Sequence, residues 1–181
     1  AWLPQSECVV DIGCSNSTLI ELLTNKSKYT IGIDTDIDAL KSISHQDSKL
    51  HLIYAQAESL PLKTELADVV LLLDVLEHTR DEKMVISEAY RILKPNGLLI
   101  MSIPYKGLFS FLDPQNLSHR LKTGKKNLIH KHYGEKDLRR LLFRLFKIED
   151  KHFGGLFLYP ITFGGSNYFK KHFGIDVSIY C

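Results

Sequence analysis

Short apolar segments alternate along the first hundred residues with segments whose apolar residues recur every three or four positions. The short segments are residues 8–10, 29–33, 50–55, 69–73 and 98–104. Residues 69–73 are continuously apolar, which is typical of a central strand buried on both faces of a parallel sheet. The alternation of strand-like and helix-like segments predicts an α/β fold built around such a sheet.

Helical spacing of apolar residues follows most of these predicted strands. Helices are predicted over residues 19–23, 35–40, 82–93 and 133–146. Thr35 or Asp36 can cap the second helix, and Pro95 followed by Asn96 and Gly97 ends the third. Two more strands are predicted towards the end of the chain, at residues 146–150 and 175–180.

Composition and charge narrow the class of protein. The chain has 181 residues, of which 44% are hydrophobic and 24% charged, as in an ordinary globular protein. A formal charge of +2 gives no argument for nucleic-acid binding. Three widely spaced cysteines predict neither a disulfide framework nor a metal site. With no apolar run of about 18 residues and no signal-peptide pattern, we expect one cytoplasmic domain spanning residues 1–181.

The first predicted strand leads into a turn with the composition of a nucleotide-binding loop. Asp11 follows the apolar run of this strand, Gly13 lies in the turn, and Asp34 ends the next strand about 20 residues after the turn. A carboxylate at that spacing suits the two hydroxyls of a ribose. A dinucleotide fingerprint would require glycine at positions 15 and 18, where this chain has Ser15 and Thr18. NAD and FAD are therefore a poor fit.

Four segments in order resemble one enzyme family, the class I S-adenosylmethionine (SAM)-dependent methyltransferases, and within it the type 11-like methyltransferases. The segments are Asp11-Ile-Gly13-Cys-Ser15-Asn-Ser17, Ala57-Glu58-Ser-Leu60-Pro61, Asp74-Val-Leu-Glu-His78 and Arg91-Ile-Leu-Lys-Pro-Asn-Gly97. The first departs from the family motif Asp/Glu-x-Gly-x-Gly-x-Gly by serine at two positions. The last has Asn96 in place of one glycine. The resemblance covers residues 8–104.

The resemblance implies a doubly wound Rossmann-like sheet of about seven strands, mostly parallel, with an antiparallel C-terminal strand. It implies SAM as the cofactor and no metal. The residues it assigns to the cofactor are Asp11, Gly13, Cys14, Ser15, Asp34, Thr35, Asp36, Gln56, Ala57, Glu58, Asp74 and Val75. Many relatives carry N-terminal helices over SAM, whereas only seven residues precede the first strand here. The cleft is expected to be open or to be covered by residues outside this sequence.

Methyl transfer to a hydroxyl needs a base, most simply a histidine. The candidates are His130 and His132, from a lid-like connection at about residues 105–132, and His78. A connection of that length usually has structure of its own or covers a site. Two alternatives stay open. His130 and His132 can instead belong to a solvated basic loop, and Glu77 with His78 can instead cap the following helix.

The acceptor implied by the resemblance is a hydroxyl or carboxyl group of a small molecule, a sugar or a lipid-linked intermediate, and not a nucleic acid. Basic and apolar residues of the connection also suit peripheral contact with an anionic membrane. The oligomeric state is left open. An alternative function is that of a catalytically silent relative that acts as a binding partner or scaffold, which Ser15, Ser17 and Gln56 favour. An NAD-linked oxidoreductase is disfavoured by the missing glycines.

Overall fold

The computed structural model describes residues 5–16, 18–43, 47–104, 121–122, 131–153 and 175–180, with only the backbone described for 149–153 and 175–180. The strands are β1 Ser6–Ile12, β2 Ser27–Asp34, β3 Leu50–Tyr54, β4 Ala67–Leu73, β5 Leu93–Ser102, β6 Lys147–Phe153 and β7 Ile175–Tyr180. The α-helices are α1 Leu19–Thr24, α2 Ile37–Ser42, α3 Glu82–Ile92 and α4 Glu135–Leu142. His130 and most of the predicted lid lie outside the described residues.

The seven strands form one sheet in the order β3-β2-β1-β4-β5-β7-β6. Strands β1 to β5 pair in parallel, and β7 pairs antiparallel with both β5 and β6. The predicted fold class is confirmed, including the antiparallel C-terminal strand. The chain runs outward from β1 to β3 and then returns to place β4 on the other side of β1. Ligands of such sheets bind at this switch point, beyond the carboxyl ends of the strands.

The two faces of the sheet are buried by alternate residues of the central strands. One face includes Val10, Ile12, Val70, Leu72, Leu99 and Met101, which share a cluster with Val85, Ile86, Ala89 and Ile92 of α3. The opposite face includes Val9, Val69, Leu71 and Ile100, which pack with Leu23 of α1. Because each side is apolar, β4 has no solvated face, as its continuous apolar run predicts.

Strand β5 begins earlier than the sequence predicts. The helix α3 ends at Ile92, and the next residue, Leu93, already pairs with Ala67 of β4 before a register shift. Asn96 takes a φ of +62°, which the Asn-Gly pair favours. The Nζ of Lys94 donates to Asp68 Oδ1 over 2.7 Å. The predicted turn is therefore part of β5, and this ion pair is a further contact between it and β4.

No helix within the described ranges is long and apolar enough to cross a membrane.

Candidate functional site

A cleft of about 410 Å³ lies over the carboxyl ends of β1 to β4. Its lining residues are Ile12, Gly13, Ile33, Asp34, Thr35, Ala55, Gln56, Ala57, Glu58, Asp74, Val75, His78, Thr79 and Arg80. The fold thus brings together eight of the twelve residues predicted to bind the cofactor, which lie on four separate strand ends. The volume is in the range of small-molecule sites.

The turn after β1 approaches the neighbouring backbone closely. Gly13 has a φ of +77°, and its N–H and that of Cys14 donate to the carbonyl oxygen of Ile33 over 2.7 and 3.1 Å. A Cβ on Gly13 would overlap Cγ2 of Val75. Both the backbone angle and the contact therefore require glycine at this position.

The carboxylate of Asp34 holds this turn in place. Its Oδ2 accepts a hydrogen bond from the Ser15 N–H over 2.8 Å, and its Oδ1 accepts one from the Asp36 N–H over 2.8 Å. Each carboxylate oxygen can accept a second hydrogen bond. Since Asp34 also lines the cleft, the remaining acceptor positions are available to a diol there.

Four of the predicted cofactor residues do not line the cleft but lie behind or beside its wall. Asp11 is only 3% exposed, and burial, followed by the nearby charge of Asp34, raises its pKa to about 7. Cys14 is also buried, and burial raises the pKa of its thiol to about 12. Ser15 contributes its N–H to Asp34, and Asp36 caps α2 by accepting from two backbone N–H groups. These four residues support the wall of the cleft.

Asp74 follows β4 in a strained conformation. Its φ is +54°, a region that non-glycine residues rarely adopt. The Ser102 side chain donates to Asp74 Oδ1 over 2.7 Å, and the Asp74 N–H donates to the Ser102 carbonyl oxygen over 3.0 Å. Two contacts from β5 thus fix an exposed carboxylate at the cleft, where backbone strain often accompanies function.

The alternative in which Glu77 and His78 cap the next helix is wrong. Asp81 caps α3, since its Oδ1 accepts from the N–H groups of Lys83 and Met84. Glu77 is instead buried at 2% exposure, and His78 is exposed and lines the cleft. A histidine is therefore present on the cleft wall.

The segment that precedes α4 is fixed beside the same wall. The Tyr133 N–H donates to the Pro104 carbonyl oxygen over 2.9 Å. Lys131 Nζ and the Tyr133 hydroxyl both donate to Glu82 Oε1, over 2.8 and 3.0 Å, and Lys131 Nζ also lies 3.3 Å from the Thr79 carbonyl oxygen. Burial and Glu82 raise the pKa of Tyr133. The half-buried His132 thus lies in a segment bound to a residue that lines the cleft.

Five residues of the cleft were missed by the sequence analysis: Ile12, Ile33, Ala55, Thr79 and Arg80. Ile12, Ile33 and Ala55 are at or just beyond strand ends, so the rule for strand carboxyl ends could have found them. Nothing in the local sequence distinguishes Thr79 and Arg80. Among the described side chains, no group of three or more His, Cys, Asp or Glu residues could hold a metal ion.

The chemistry of the cleft fits an adenosine-containing ligand without phosphates. Asp34 offers carboxylate oxygens to a ribose, and Gln56 offers an amide oxygen to an amine. Only one glycine, Gly13, lies in the turn, whereas a dinucleotide-binding turn has three so that the backbone can approach the pyrophosphate closely. The fold and the cleft together define a Rossmann-like protein with a cleft at its switch point.

Comparison with known proteins gives the family. The family model described as "Methyltransferase domain" matches residues 10–101, just over half of the chain. The chain belongs to this methyltransferase family, and the cofactor implied by that membership is S-adenosylmethionine.

Several known proteins are similar to this chain. A probable S-adenosylmethionine-dependent methyltransferase of Mycolicibacterium smegmatis is 28% identical over 102 residues, which are 56% of this chain and 40% of that protein. A ubiquinone biosynthesis O-methyltransferase of Bartonella tribocorum is 31% identical over 99 residues, 52% of this chain and 40% of that one. The chain thus spans about 40% of the length of these relatives. The crystal structure of a SAM-dependent methyltransferase from Methanosarcina mazei has a TM-score of 0.74 at 20% identity, covering 99% of this chain and 94% of that one.

Proposed function

We propose that this chain transfers a methyl group from SAM to a hydroxyl or carboxyl group of a small molecule, a sugar or a lipid-linked intermediate. The observation that carries the proposal is the cleft at the switch point. It brings Gly13, Asp34 and Gln56 together with the exposed carboxylate of Asp74. This cavity offers a diol acceptor, an amine acceptor and a negative charge together.

The roles follow from the chemistry of each side chain. Asp34 accepts hydrogen bonds from the ribose, and Gln56 accepts one from the adenine amine. The negative charge of Asp74 favours a sulfonium cation nearby. When bound, SAM supplies an electrophilic methyl group, so the chain itself has to align the acceptor and exclude water. Gly13 and Val75, which both line the cleft, lie so close together that a side chain on Gly13 would not fit.

A hydroxyl acceptor also requires a base, and His78 is the histidine that lines the cleft. His132 is a second candidate, since its segment is bound to Glu82 and to the Thr79 carbonyl oxygen. An O-methyltransferase among the relatives supports the choice of an oxygen acceptor. His130, the third candidate, lies outside the described residues.

The test is methyl transfer from SAM carrying a labelled methyl group, with the full chain and a panel of acceptors. The panel contains phenols, sugars, aliphatic carboxylates and, for contrast, primary amines. We expect transfer to an oxygen acceptor, and for a hydroxyl acceptor a loss of kcat of about 100-fold in His78→Ala. His51→Ala is the matched control, because His51 is exposed on β3 and does not line the cleft.

Unchanged turnover in His78→Ala and His132→Ala with a hydroxyl acceptor would exclude both histidines as the base. Transfer only to amines would overturn the proposed acceptor class. Binding of S-adenosylhomocysteine without transfer to any acceptor would favour the catalytically silent alternative.

A further inference from the structure

An ion pair on α3 binds the backbone of the segment that follows the cleft residues Gln56 to Glu58. Arg91 Nε donates to Glu88 Oε1 over 2.7 Å, and Arg91 Nη2 donates to Glu88 Oε2 over 2.8 Å. The same guanidinium donates to the carbonyl oxygens of Leu60 and Leu62, over 3.1 and 2.8 Å. Glu88 Oε2 accepts from the Leu60 N–H over 2.7 Å.

The pair satisfies both backbone polar groups of a buried residue. Leu60 is 6% exposed and lies outside the strands, so its N–H and carbonyl oxygen have no ladder partners. Buried backbone groups of this kind need hydrogen bonds from elsewhere. Arg91 and Glu88 supply them with a rigid, planar geometry that lysine could not reproduce. The hydrogen bond from Arg91 also lowers the pKa of Glu88, which keeps the carboxylate ionised.

Contacts on both sides hold the neighbouring cleft residues relative to this anchor. The Ala55 N–H donates to the Asp34 carbonyl oxygen over 3.1 Å, and the Ser59 N–H closes a turn to the Gln56 carbonyl oxygen over 3.1 Å. Glu58 Oε1 accepts from the Arg80 N–H over 3.0 Å. Gln56 itself is exposed in the cleft, so its position depends on where these anchors hold the backbone.

We propose that Arg91 and Glu88 are positioning residues for the adenine end of the cofactor: by binding the backbone at Leu60 and Leu62, they hold Gln56 where it meets the base. Neither residue lines the cleft, so each acts through the loop. This inference rests on the proposed function, because it concerns the same site and the same cofactor.

A second ion pair provides a matched control. On α4, Arg139 Nε and Nη2 both donate to Glu135 Oε1, over 3.1 and 2.9 Å. The two side chains are 61% and 47% exposed, and they make no contact with the 56–62 loop among the described hydrogen bonds. Arg139→Lys therefore makes the same chemical change as Arg91→Lys without affecting the cleft.

The test measures the loop and the ligand separately. Hydrogen–deuterium exchange of the unliganded full chain reports on the amides of residues 56–62, and calorimetry with S-adenosylhomocysteine reports Kd. In Arg91→Lys and in Glu88→Gln we expect faster exchange of the Leu60 amide and a Kd about tenfold higher, the loss of one charged hydrogen bond. In Arg139→Lys we expect both values to stay at those of the wild type.

A double-mutant cycle with Gln56→Ala separates positioning from general stability. If Arg91 acts through Gln56, Arg91→Lys raises Kd much less when Gln56 is already alanine, so the two effects are not additive. Additive effects, or a Kd within twofold of the wild type in folded Arg91→Lys and Glu88→Gln, would overturn the proposal. If the wild type binds no S-adenosylhomocysteine, the proposed function fails, and the proposed role of Arg91 and Glu88 in cofactor binding fails with it. The exchange data would still show whether the ion pair holds the loop.

Discussion

At the level of single residues, the cleft is built from backbone conformations that most amino acids avoid. Gly13, Ser15 and Asp74 all have positive φ values, of +77°, +48° and +54°. The hydrogen bonds of Asp34 and Ser102 hold the two non-glycine residues in place. For Ser15 and Asp74, which are not glycine, the cost of this conformation is of the order of 1–2 kcal/mol each. The strained backbone at Ser15 and Asp74 lowers the stability of the fold and contributes to the shape of the site.

Ser15→Gly is expected to stabilise the chain by up to about 1 kcal/mol, because glycine adopts this φ without steric cost. The variant keeps the backbone N–H at position 15, which donates a hydrogen bond to Asp34. Ser15→Ala is the control and should show no gain, since alanine has the same restriction as serine. Denaturant unfolding measures both. Equal stability of the two variants would contradict the account of strain at this turn.

Asp11 predicts a pH dependence of stability. Burial raises its pKa to about 7 in the folded chain, well above the value near 3.9 in an unfolded one. The stability contributed by its proton is therefore full below about pH 4 and is lost as the pH rises to about 7. The unfolding free energy of the wild type should fall between about pH 4 and pH 7. In Asp11→Asn this part of the decline should disappear. If the unfolding free energies of the two proteins changed in parallel with pH, the assignment of the decline to Asp11 would be contradicted.

At the level of elements, α3 organises the surroundings of the cleft. Its apolar face packs on the sheet, Glu88 and Arg91 bind the 56–62 loop, and Glu82 binds the segment before α4. Each contact attaches a non-regular segment to a helix that is itself held by the core. The segments beside the candidate site are therefore attached to a helix that is packed on the sheet.

Tyr133→Phe tests the attachment of the segment before α4. The variant removes the hydroxyl that donates to Glu82 Oε1, so the unfolding free energy should fall by about 1.5–3 kcal/mol. Tyr90→Phe is the control, since Tyr90 is 43% exposed and its hydroxyl makes no hydrogen bond within the described part of the chain. Equal losses of unfolding free energy in the two variants would show that the hydrogen bond from Tyr133 to Glu82 does not stabilise the fold.

The sequence predicted helices and strands well where the hydrophobic pattern is strong. It predicted them less well where tertiary contacts determine where an element begins or ends. The continuous apolar run of β4 and the helical spacing of α3 identified both elements, although Met84, an apolar residue of α3, is 50% exposed. The early start of β5 could not be predicted, because it consists of the pairing of Leu93 with Ala67 of β4, a contact between residues 26 positions apart. Local pattern carries no information about such a contact.

At the level of the whole molecule, the strand order explains which site residues the sequence could find. Residues at strand carboxyl ends, such as Gly13, Asp34 and Asp74, converge once the sheet is parallel and doubly wound. Arg80 and the pair Glu88–Arg91 were not found, because their roles depend on contacts across the loop between β3 and β4. The burial of Asp11 and Cys14 behind the wall was likewise invisible before the packing was known.

The most direct test of the account is calorimetric titration of the full chain with S-adenosylhomocysteine and, separately, with NADH. We predict a Kd of the order of micromolar for S-adenosylhomocysteine and no binding of NADH, because the turn at Gly13 lacks the glycines that a pyrophosphate needs. Asp34→Ala should abolish binding, whereas Asp38→Ala, an exposed residue outside the cleft, should leave it unchanged. Binding of NADH in preference, or equal affinity of the wild type and Asp34→Ala for S-adenosylhomocysteine, would contradict the account.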